Sequence, residues 1–168
     1  MYFYSVHLML FPGFHSSFLY PDLRSSIPPL VSLLRDNDDK TKANAAGALG
    51  NFVRNSSMLV QSLIDFGALE ALISLVASSI KSSSTAEFAQ STFQSSNQSM
   101  VSSQSPMKIA LFSLGNMCAH PKCRDVLMSC GILDVTKLLL GTSGEISNFE
   151  GDSTVKKYAQ RIESKIDF

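Results

Sequence analysis

The stretch Asp39-Lys40-Thr41-Lys42-Ala43-Asn44-Ala45-Ala46-Gly47-Ala48-Leu49-Gly50-Asn51-Phe52-Val53-Arg54 decides the fold, because its centre is written twice. Ala48-Leu49-Gly50-Asn51-Phe52-Val53 reads against Ser113-Leu114-Gly115-Asn116-Met117-Cys118, 65 residues further on. Apolar residues recur at helical spacing through both copies, and no alternating strand pattern appears. Asp38 or Asp39 can cap the first copy, and Ala43, Ala45, Ala46 and Ala48 allow a neighbouring helix to approach closely. Downstream of each copy the match continues: Leu69, Leu72, Leu75 and Val76 against Ile132, Val135, Leu138 and Leu139.

An offset of 65 is too long for a common helical repeat. The difference lies in 78–105, a stretch dominated by Ser and Gln that is too polar to offset its ordering entropy and reads as a disordered loop. Removing about 24 residues there leaves a period near ~41, in the HEAT and armadillo range. The sequence therefore predicts an all-α, right-handed α-solenoid of about three armadillo/HEAT-like repeats with a disordered Ser-rich insert.

The expected division is an undefined segment 1–14, repeat 1 over 15–55, repeat 2 over 56–119 with its insert 78–105, and repeat 3 over 121–168. Helices are expected over 15–25, 27–35, 39–54, 57–65, 69–77, 106–119, 122–129, 132–140 and 153–166. Pro28 and Pro29 fall in an opening turn, where a missing N–H costs little. Gly67 and Gly131 mark breaks.

Composition narrows the function. Apolar residues make up 45% of the chain and charged ones 17%, which suits a globular protein rather than a disordered one. The formal charge balances at zero, so nothing points to nucleic acid or an anionic membrane as partner. Cys118, Cys123 and Cys130 cannot all pair with one another, and reduced thiols in a cytoplasmic protein are expected. The apolar run Tyr2 to Phe14 is broken by Pro12-Gly13 well short of the ~20 residues that span a bilayer, and it lacks the basic start of a signal peptide.

Two motif stretches carry a family resemblance. Asp39 to Ser56, together with Ser105-Pro106-Met107-Lys108-Ile109-Ala110-Leu111-Phe112-Ser113-Leu114, resembles the C-terminal armadillo-like region of the Fused family of serine/threonine kinases, its plant members above all. The entry Tyr20-Pro21-Asp22-Leu23-Arg24-Ser25-Ser26-Ile27-Pro28 is similar to the same region. In that family a kinase domain precedes a long repeat region that recruits partners. The plant members serve cell-plate formation by binding kinesins at the phragmoplast microtubules. The resemblance thus implies a cytoplasmic, cytoskeleton-associated fragment whose partner is a kinesin motor or another cytoskeletal protein.

Catalytic and metal-binding readings are weak by contrast. Asp65-Phe66-Gly67 spells the metal-holding triplet of protein kinases, yet no Gly-rich phosphate loop, strand lysine or His-Arg-Asp loop precedes it. Gly67 suits a helix terminus instead. Cys118, His120, Cys123 and Cys130 crowd together, but their spacing lacks the paired ligands of structural zinc sites, and small buried thiols are common in cores. No cofactor is expected.

The residues that could carry binding lie on the third helix of each repeat. Asn51 and Asn116 are placed to clamp the backbone of an extended peptide, offering a donor and an acceptor each. Four residues before them stand Gly47 and Phe112, where nuclear-import receptors have tryptophan, so basic localisation peptides are poor candidates. Lys156, Lys157 and Arg161, with Lys165, could face an acidic partner, although a solvated helix face explains them equally well. The sequence reads as a protein-interaction scaffold. Two alternatives stay open: part of a kinase whose catalytic domain lies outside this chain, or a generic armadillo adaptor.

Overall fold

The computed structural model describes residues 19–54, 57–89, 105–141 and 152–166. They form helices α1 (Leu19–Ser25), α2 (Ile27–Leu33), α3 (Asp39–Phe52), α4 (Val60–Asp65), α5 (Ala68–Ala89), α6 (Pro106–Met117), α7 (Pro121–Ser129), α8 (Ile132–Leu140) and α9 (Ser153–Ile166), with no strand among the described residues.

Local chemistry sets the helix ends. Asp38, not Asp39, caps α3: its Oδ2 accepts from the Thr41 amide at 2.8 Å and the Thr41 hydroxyl at 2.7 Å. Those two bonds lower the Asp38 carboxyl below the usual range. Proline opens α2, α6 and α7, where no amide donor is missed. Gly67 and Gly131 carry φ of 67° and 75°, the left-handed conformation that stops α4 and α7 and starts α5 and α8. Helices of six or seven residues, such as α4 and α2, would not persist alone, so packing holds them.

That packing is a three-row stack. The third helices α3, α6 and α9 lie side by side; α2, α5 and α8 form a second row, and α4 and α7 pair in a third. Leu49, Leu69, Leu72, Leu111, Leu114, Leu127, Ile132, Leu139 and Ile162 are completely or almost completely buried in one continuous core. Helices repeating in threes, the second and third of each triplet touching their counterparts in the next, make an all-α armadillo solenoid.

One expectation needs correcting. The insert was to begin at Ser78, but α5 runs on to Ala89. Residues 78–89 contain neither Gly nor Pro, and the Ser78 and Ser79 hydroxyls both donate to the Leu75 carbonyl, so the serines bond along the helix instead of ending it. The rest of the insert, 90–104, lies outside the described residues, as do 15–18 at the expected start of the first helix.

Candidate protein-binding surface

The α3–α6 junction is the closest in the stack, and small residues make it so. A Cβ on Gly50 would sit 2.5 Å from the Ser113 Cβ and 2.8 Å from its Cα, so the two helices approach almost backbone to backbone there. Ser113, itself fully buried, donates its hydroxyl to the Ala46 carbonyl at 2.9 Å. Two turns away, His120 Nε2 lies 2.8 Å from the Val53 carbonyl at the end of α3. A carbonyl only accepts, so this ring carries its proton on Nε2.

The α6–α9 junction is built from long side chains instead. Phe112 meets Tyr158 with ring centroids 5.7 Å apart and planes tilted by 60°, and the Arg161 guanidinium lies 5.7 Å over the Phe112 ring. Lys165 Nζ donates to the Gly115 carbonyl at 2.7 Å, filling an acceptor that the last turn of α6 leaves open. Burial, and then the charge of Arg161, lowers the Lys165 ammonium below its ordinary value. At the other end of α9, Lys108 pairs with Asp152, which also accepts from the Thr154 amide at 2.8 Å. The lysine bond leads in pulling the Asp152 carboxyl down to about 2.

Between these contacts the third helices leave a face uncovered. On α6, Ile109 and Ser113 turn toward α3, while Phe112 and Lys108, both half-buried, lie on the flank beside it that reaches α9. The matching flank of α3 holds Asn44 and Arg54, exposed, with Gly47 and Asn51 half-buried; that of α9 holds the exposed Lys157 and Arg161.

The sequence candidates divide accordingly. Phe112, Lys157 and Arg161 come together on this face. Lys156 does not: it lies about 140° around α9 from Arg161 and is exposed elsewhere. Asn51 and Asn116, expected on the same side of the third helices, differ in burial. Asn51 is half-buried, whereas Asn116 is only 7% exposed, and its Nδ2 has no hydrogen-bond partner among the described residues. The cause is position: α6, which carries Asn116, lies between α3 and α9, whereas among the described residues α3 has a third-helix neighbour on one side only.

Other functional-looking groups are structural. Asp65 ends α4 and accepts from Gln61 Nε2 at 2.9 Å; Phe66 is the C-cap, and Gly67 supplies the turn. Cys118 and Cys123 are buried, which pushes both thiols up to about 11. Sequence reasoning missed Gly50, Ser113, His120 and Tyr158 as contact residues. Gly50 was visible as the repeated Leu-Gly-Asn; nothing local marked His120.

The Armadillo/beta-catenin-like repeat family matches residues 22–54, from within α1 to just past the end of α3. Over 116 residues, 68% of this chain, the sequence is 40% identical to the serine/threonine-protein kinase TIO of Arabidopsis thaliana. The chain thus contains an armadillo repeat and is similar to part of that kinase. It spans 8% of the length of that kinase. A crystal structure of an engineered protein superposes with a TM-score of 0.34 at 21% identity, covering 84% of this chain and 38% of that one. What the armadillo-like region contains is a repeat scaffold and not a kinase domain, and among the described residues no helix is long and apolar enough to cross a membrane.

Proposed function

We propose that this region binds a protein partner along the uncovered face of α3, α6 and α9, and that the partner is cytoskeletal, such as a kinesin motor acting in plant cell division. One observation carries the surface: the third helices stack into a continuous row, and Asn44, Arg54, Lys157 and Arg161 are exposed along its flank. Such a row offers many shallow contacts on a rigid support, which is how repeat proteins bind extended partners. Kinship to the TIO kinase favours the cytoskeletal partner and a place at the phragmoplast. On this reading any phosphotransfer belongs to a catalytic domain in the longer protein, and this region only recruits.

Photo-crosslinking tests it. A crosslinking residue at Asn44 should capture a kinesin tail presented to the chain, and one at Asp125, exposed on α7, should not. Equal capture from both positions, or capture from Asp125 alone, would move the binding surface off the third helices.

A further inference from the structure

We infer that the α6–α9 step of this face, centred on Arg161, is a subsite for an acidic extended segment of the partner. The inference rests on the binding face just proposed and gives it a charge preference.

The zero net charge of the chain conceals a separation of charge in space. Carboxylates on the third helices are already engaged: Asp39 with Lys42, Asp152 with Lys108, and Glu163 with the Thr136 hydroxyl at 2.9 Å. Asp65, Glu70, Asp125 and Asp134 lie on α4, α5, α7 and α8, the other two rows. Arg54, Lys157 and Arg161 therefore remain on the uncovered face with no ion pair among the described residues, and Lys165 adds its charge beside Arg161.

Geometry makes Arg161 the centre. Its guanidinium is held over the Phe112 ring, which also stacks on Tyr158, so its position is set before any ligand arrives. A planar fork fixed in place loses less freedom on meeting a carboxylate than a lysine stem does. The same contact occupies the Phe112 ring. A basic peptide would find its aromatic platform taken and two cations, Arg161 and Lys165, beside it. An acidic one meets fixed donors and no competing carboxylate.

The probe is a fluorescent ten-residue peptide of alternating Glu and Ser, titrated into the chain and followed by anisotropy, alongside a matched Lys/Ser peptide. Saturable binding of the acidic peptide is expected, tighter by at least about tenfold than that of the basic one and weakening as salt rises. Arg161→Gln should weaken it about tenfold, and Lys157→Gln by a smaller factor. Arg161→Lys should recover part of the loss. Lys122→Gln, the same charge change on α7, should leave binding unchanged. Lys157 is exposed and makes no contact that folding needs, so its variant stands if Arg161→Gln lowers the melting temperature.

Absence of saturable binding overturns the inference. So does a Lys122→Gln loss equal to that of Arg161→Gln, or tighter binding of the Lys/Ser peptide, of a ten-nucleotide single strand, or of phosphatidylserine vesicles. If Asn44 crosslinks a kinesin tail through a segment without acidic residues, the binding face stands and only its charge preference falls.

Discussion

The two junctions of the third-helix row solve one packing problem in opposite ways. Between α3 and α6, Gly50 and Ser113 let two backbones meet, and the contact is short and without slack. Between α6 and α9 the equivalent glycine, Gly115, has ordinary space: a Cβ there would lie 3.8 Å from Arg161 Cδ and 3.9 Å from Ile162. Its junction is spanned by Arg161, Lys165, Tyr158 and the Lys108–Asp152 pair. Close packing resists any change of volume, whereas long polar side chains can release one another at little cost in shape. The first junction is thus set by backbone contact, and the second by side-chain contacts that hold Arg161 and Lys165 beside the binding face.

The largest effect should come from filling the close junction. Gly50→Ala brings a methyl far inside van der Waals contact with Ser113, backbone included, and should cost ~1–3 kcal/mol, near the upper figure because Cα cannot swing aside. Alanine's better helix propensity offsets at most ~1 kcal/mol of that. Chemical denaturation of both proteins checks it. Ser113→Gly in the Gly50→Ala background should restore part of the loss; additive effects would mean that the two residues do not meet as described.

Acid should open the second junction before the first. The Asp152 carboxyl falls to about 2 from an ordinary 3.8, so the folded state favours its ionised form. A lowered carboxyl gives stability that is present above the unfolded value and is lost as pH falls toward 2. Between about pH 4 and pH 2, hydrogen exchange in the first turns of α9 should quicken while the α3 amides around Ala46 stay protected. Asp152→Asn should remove that pH dependence. Simultaneous loss in both helices would show one cooperative unit with no weaker edge.

The smallest effect carries the opposite sign. Gly115→Ala adds a methyl at ordinary contact distance inside a helix and should stabilise the chain by up to ~1 kcal/mol. Thermal melts of Gly50→Ala and Gly115→Ala, side by side, should shift in opposite directions. A loss at both positions would mean that the junctions are packed alike.

What the sequence determined by itself was whatever is local or periodic. Apolar spacing and the repeated Leu-Gly-Asn set helices and repeats, and α8 and α9 begin and end where the pattern places them. Gly67 and Gly131 set the breaks, because only glycine takes their backbone angles freely. The same reasoning failed at Ser78, where composition suggested a loop although no residue breaks the helix before Ala89. Only the tertiary structure decided what each copy of the motif does. Gly50 and Gly115 are identical in sequence, but one meets a serine backbone and the other an arginine stem. Asn51 and Asn116 stand in the same register, yet α6 lies between α3 and α9, whereas among the described residues α3 has a third-helix neighbour on one side only. Lys157 and Arg161 share the uncovered face while Lys156 leaves it. A periodic sequence specifies each unit, but burial and partners depend on which neighbour stacks against it, and that is fixed by residues ~50–70 positions away.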